Sequence, residues 1–91
     1  MKYSLDFTSK AKEGMSKLKK NEKNAFNKLE KLLLELTEHP TTGTGKPEQL
    51  SGNRFGQWSR RITEKHRLIY KIFDDKVMVL VISAFGHYDD K

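Results

Sequence analysis

The chain reads as an α+β protein in which an N-terminal strand and two helices pack on an antiparallel β-sheet. Three observations predict this. Apolar and polar residues alternate over residues 2–7, apolar positions recur at helical spacing from residue 11 to about 39, and three β-rich runs joined by tight turns follow residue 57. At 91 residues there is room for one domain, spanning residues 1–91, and roughly 60–65% of the unfolded surface can be buried at that size.

Tyr3, Leu5 and Phe7 fall on one side of the first strand, with Ser4 and Asp6 on the other. Thr8 or Ser9 supplies an N-cap, and Ala11, Met15 and Leu18 mark the buried stripe of a first helix that Gly14 weakens. After a break at Lys20-Asn21, residues Ala25, Phe26, Leu29, Leu32, Leu33 and Leu36 draw a broad apolar stripe, stopped at His39-Pro40. Such a stripe is core. Residues 40–57 hold both prolines and four of the six glycines and form one long connection, a length that in a compact domain is usually either functional or disordered. Strands are then expected over 57–62, 66–73 and 76–83, with turns at Thr63-Glu64-Lys65 and Asp74-Asp75. In the middle strand Leu68, Tyr70 and Ile72 share one face while Arg67, Ile69 and Lys71 share the other. The run 77–82 is apolar enough for a central strand covered on both sides.

The absence of cysteine removes disulfides, thiolate metal sites and a cysteine nucleophile, and fits a reducing cytoplasm. No apolar run approaches the length needed to span a membrane, so a soluble cytoplasmic protein is expected. The formal net charge of +6 favours polyanionic partners. Much of that charge sits on the helices, where lysines alternate with glutamates in the manner of a solvated face.

Two motif families fail on inspection. Gly43-Thr44-Gly45-Lys46 has Pro40 where a phosphate loop needs its first glycine and Pro47 where it needs a Ser or Thr. His39, His66 and His87 are too scattered for a metal site, and His39 reads as a helix C-terminal residue. More informative is the clustering of all four arginines between Arg54 and Arg67, downstream of an isolated Glu48 and upstream of His87-Tyr88. A carboxylate that takes a proton, a histidine that gives one, and guanidinium groups that hold charge on phosphorus suffice to cut a phosphodiester without a metal or other cofactor. Arg60 and Arg61 point to opposite faces of a strand, so only one can join such a surface. Arg61, which shares parity with Ser59 and opposes Trp58 and Ile62, is the candidate, while Trp58 reads as a core residue.

Gly45-Lys46-Pro47-Glu48, Leu50, Gly56, Trp58-Ser59-Arg60-Arg61-Ile62, His66-Arg67-Leu68-Ile69-Tyr70 and His87-Tyr88 together resemble the YoeB/Txe toxins of bacterial toxin-antitoxin systems, within the wider RelE-like group. The resemblance covers about residues 43–88. It implies a ribosome-dependent mRNA endoribonuclease, neutralised by a cognate acidic, YefM-like antitoxin and tending to dimerise. It places the general base at Glu48, phosphate contacts at Arg67 and Arg61, the general acid at His87, and a substrate-orienting ring at Tyr88. Lys46 and Arg54 are further candidates for substrate contact. Two features depart from the family pattern: Ser51 stands where relatives commonly carry lysine, and Asp89-Asp90-Lys91 follow the tyrosine at which relatives often end. Two other functions compete: a same-fold inhibitor of a target such as DNA gyrase that cuts nothing, and a non-catalytic RNA- or ribosome-binding module.

Overall fold

Thr8 ends the first strand and starts the first helix in a single residue. Its backbone is extended, its hydroxyl accepts from the Ala11 amide at 3.0 Å, and the same hydroxyl donates to the Ile82 carbonyl at 2.7 Å, so the helix cap is also a tie to the sheet. The computed structural model describes residues 2–86. Its elements are β1 (Ser4–Phe7), α1 (Ser9–Asn21), α2 (Lys23–Leu36), β2 (Glu48–Gln49), β3 (Gln57–Arg61), β4 (Arg67–Phe73) and β5 (Met78–Ser83).

The five strands form one sheet in the order β1-β5-β4-β3-β2. The last three form the expected antiparallel meander, β2 extends it beside β3, and β1 adds to β5 in parallel, because the two helices act as the crossover a parallel pair requires. Both helices cover one face of the sheet. Leu18, Leu29, Leu32 and Leu36 are fully buried there against Leu68, Tyr70, Val79 and Val81. Each buried leucine is worth about 1.5–3 kcal/mol relative to an exposed one.

Several expectations shift in detail. α2 stops at Leu36 rather than His39, because the chain turns there through hydrogen bonds from the Glu38 and His39 amides to the Glu35 carbonyl. The long connection is not structureless: it contains β2 and a 3-10 turn at Gly52–Arg54. β5 is an interior strand, but its second face, carrying Leu80 and Ile82, is only half-buried, since the helices cover one side alone. Trp58 is half-buried against the core rather than enclosed by it.

Candidate active site

The sheet register brings three of the predicted site residues, Glu48, Arg61 and Arg67, to one face. Glu48 lies opposite Ser59 across β2–β3, Ser59 lies opposite Ile69 across β3–β4, and Arg61 lies opposite Arg67. Directly opposed residues share a face, so Glu48, Ser59, Arg61, Arg67 and Ile69 all lie on the face turned away from the helices. Ser59 and Ile69 are its buried floor. Glu48 and Arg61 are exposed on it, Arg67 is half-buried, and Arg61 is the diagonal neighbour of Glu48, at roughly 7–8 Å between backbones. Two guanidinium groups set directly opposite one another repel, by about 0.2–1 kcal/mol for such a pair. Among the described residues neither is ion-paired to a carboxylate. An anion bound between them would relieve that repulsion.

A close backbone approach delivers Glu48 to this face. The Arg61 amide donates to the Gly45 carbonyl at 2.7 Å, and a Cβ on Gly45 would lie 3.0 Å from the Arg61 carbonyl oxygen and 3.2 Å from Arg60 Cβ. With φ at +86°, only glycine fits. Exposed Lys46 follows, itself in the left-handed region at φ 52°, and the chain then enters β2 through Pro47. Arg54 closes the 3-10 turn and donates from Nη1 to Gln57 Oε1 at 3.1 Å, which holds it toward the same face as Arg61. Glu48, Leu50, Ser51 and Arg54 line one concavity of about 340 Å³. A larger cavity of about 690 Å³ lies elsewhere, between the α1–α2 junction and the β3–β4 turn, and contains none of the predicted site residues.

His87 and Tyr88 lie outside the described residues. The chain immediately before them is held: the Arg67 amide donates to the Gly86 carbonyl at 2.9 Å.

Arg60 has a role that the motif alone does not disclose. It is fully buried on the helix-facing side, and its five N–H donors meet five acceptors. Nε donates to Tyr70 Oη at 3.1 Å, Nη1 to Glu35 Oε1 at 2.8 Å and the Thr44 carbonyl at 3.2 Å, and Nη2 to the carbonyls of Thr42, at 2.7 Å, and His39. Tyr70 in turn donates to the Pro40 carbonyl at 2.8 Å. This cluster pins residues 39–44 to α2 and the sheet, and so fixes where the connection leading to Glu48 begins. The Thr44 hydroxyl and amide hold the Glu35 carboxyl below its ordinary range, with Arg60 adding to the effect. Burial pushes the Tyr70 phenol up, opposed by Arg60. The available signal was parity, since Arg60 alternates with Trp58 and Ile62 on an otherwise apolar face.

A family model described as the YoeB-like toxin of bacterial type II toxin-antitoxin systems matches residues 7–88. Toxin YoeB of Streptomyces coelicolor is 34% identical over 84 residues, which is 92% of this chain and 98% of that protein. Among solved structures, the YoeB/ParE toxin from Agrobacterium tumefaciens superposes with a TM-score of 0.88 at 30% identity, over 93% of this chain and 99% of that one. Staphylococcus aureus YoeB, solved as a dimer and in a heterotetrameric complex with YefM, gives TM-scores of 0.83 and 0.81 at 31% identity, over 97% of this chain and 100% of that one. A match across nearly the whole chain, in sequence and in fold, leaves one assignment: the chain belongs to the YoeB-like toxins of bacterial type II toxin-antitoxin systems.

Proposed function

We propose that this toxin is a ribosome-dependent endoribonuclease that cuts mRNA without a metal. The observation that carries the reading is the opposed pair Arg61 and Arg67, with Glu48 diagonal to Arg61, on the open face of the sheet. In the proposed reaction the Glu48 carboxylate takes the proton of an RNA 2'-hydroxyl, whose oxygen attacks the adjacent phosphorus. Arg67 and Arg61 hold the charge that develops on the phosphoryl oxygens, a task for which the planar guanidinium fork is suited. The P–O5' bond breaks as His87, in its protonated form, gives its proton to the departing oxygen. The products are a 2',3'-cyclic phosphate and a 5'-hydroxyl. Tyr88 orients the substrate, and Lys46 and Arg54 contact the RNA backbone at the rim. Ser51 stands where the family resemblance expects lysine, which leaves this rim one cationic contact short.

The partners follow from the same reading. A cognate acidic, YefM-like antitoxin covers the basic open face by coupled folding and binding, and the toxin itself forms a homodimer. Its place of action is the cytoplasm, where ribosomes hold mRNA. Among the described residues no helix is long and apolar enough to cross a membrane.

Primer extension on a translated mRNA with purified ribosomes tests this. Cleavage with 5'-hydroxyl ends is expected, and Glu48→Ala, Arg67→Ala and His87→Ala should each lower it by about two to four orders of magnitude. Products with 5'-phosphate ends, or a His87→Ala protein that cuts at the parental rate, would overturn the mechanism. Ribosome binding without any cut would instead favour a non-catalytic binding module, and supercoiling inhibition without a cut would favour a gyrase inhibitor.

A further inference from the structure

His66 is the residue before β4, and the chemistry above assigns it nothing. Its imidazole is 4% exposed, and both ring nitrogens are committed. Nδ1 lies 2.9 Å from the Gly86 amide nitrogen, and Nε2 lies 3.0 Å from Glu22 Oε2. A backbone amide can only donate, so Nδ1 is the acceptor, and the ring proton of the neutral imidazole sits on Nε2, directed at the Glu22 carboxylate. The ring also packs against Phe85, with centroids 4.6 Å apart and the planes tilted by 37°.

Gly86 is thereby held from both sides by consecutive residues. His66 accepts from its amide, and Arg67 donates to its carbonyl at 2.9 Å. This grip falls three residues beyond the end of β5, and one half of it comes from the first residue of β4. Gly86 itself has φ +77°, a conformation that redirects the chain. The residue after it in the sequence is His87. At the other end, Glu22 stands at the break between α1 and α2. Its carboxylate makes no cap bond to α2 and is directed to His66, with Lys65 Nζ at 3.9 Å from its other oxygen.

We infer that His66 is a positioning residue for the cleavage reaction: through Nδ1 it fixes Gly86, and with it the origin of the terminal segment that carries His87. The inference rests on the proposed nuclease reading with His87 as acid. A buried histidine with a purely structural task would show its loss in stability alone. A positioning residue shows it in the chemical step, where a misplacement of about 1 Å costs on the order of 10²-fold.

Two substitutions separate the ring nitrogens. His66→Gln keeps a donor that reaches toward Glu22 but has no acceptor at the position of Nδ1, whereas His66→Asn restores an oxygen at that position and gives up the reach to Glu22. The full chain and both variants would be compared in cleavage of ribosome-held mRNA, with amide hydrogen exchange at Gly86 read by NMR in the absence of RNA. The Gln variant should lose about 10- to 100-fold in kcat with KM little changed, and its Gly86 amide should exchange faster. The Asn variant should recover most of both.

Parental cleavage by the Gln variant, or equal losses in both variants that follow their thermal midpoints, would overturn the positioning role while leaving the nuclease reading intact. A parent chain that leaves translated mRNA uncut overturns the nuclease reading, and the positioning role falls with it.

Discussion

Neighbouring arginines on β3 face opposite sides of the sheet, one buried and one exposed, and stability measurements should separate them. Replacing Arg60 leaves the Glu35 carboxylate and four other acceptors without their donor, and breaking a buried pair of this kind costs about 3–5 kcal/mol. Because the Glu35 side chain is 28% exposed, Arg60→Ala is expected toward the lower end of that range in urea unfolding. Arg60→Lys should recover little, since an ammonium has no fork to reach five acceptors. Arg61→Ala, on an exposed position, should change stability by no more than about 0.5 kcal/mol and should instead lower cleavage. Trp58→Ala, at a half-buried site, should cost less than the roughly 3–5 kcal/mol of a fully enclosed tryptophan. Equal destabilisation by the alanine variants of Arg60 and Arg61 would contradict this division.

At the scale of elements, Gly14 is where local propensity and packing disagree. Alanine is worth about 1 kcal/mol more than glycine inside a helix. A Cβ on Gly14, however, would lie 2.8 Å from Phe85 Cβ and 3.3 Å from the Phe85 amide nitrogen. Phe85 Cβ sits at the root of its side chain and moves only with the backbone. Gly14→Ala should therefore destabilise by about 1–3 kcal/mol, and a rise in thermal midpoint would show that residues 84–85 yield without cost. The sequence marks Gly14 as a weakness of α1. Its use is visible only once α1 lies against the segment that leads out of β5.

For the molecule as a whole, pH bounds stability on both sides. The Glu35 carboxyl is held low when folded, so its contribution is present above the unfolded carboxylate pKa of about 4.3 and is lost as pH falls through the depressed folded value. The Tyr70 phenol, raised by burial, and the Tyr3 phenol, raised chiefly by its hydrogen bond to Asp74, act at the other end. Their contributions are complete below the unfolded tyrosine pKa of about 10 and are lost as pH rises through the raised values. Thermal midpoints should hold level between these limits, and Glu35→Gln should flatten the acid limb; an unchanged acid limb in that variant would exclude Glu35 as its source. The shallow open face also bears on substrate. With only a few side chains to orient an RNA, the chain should cut ribosome-held mRNA far faster than naked RNA, and equal rates on the two would remove the ribosome from the mechanism.

Periodicity in the sequence was enough to identify both helices, the three C-terminal strands and the faces on which Leu68, Tyr70 and Ile72 oppose Arg67, Ile69 and Lys71. Those patterns follow from neighbours two to four residues apart, which any isolated helix or strand would share. The family resemblance pointed to Glu48 and Arg67, and strand parity to Arg61. What the sequence left undetermined rests on pairings between distant segments. Glu48 joins the arginines because a two-residue strand inside a glycine-rich connection docks on β3, a choice made by the close approach at Gly45. Parity puts Arg60 on the apolar face, but its acceptors exist only once residues 35, 39, 42, 44 and 70 converge on it, and His66 is one motif letter until Glu22 and Gly86, 44 and 20 residues away, reach its two nitrogens. Burial of those polar groups is tolerable only when every donor finds an acceptor, and that condition is met by the packed chain, not by any stretch of it alone.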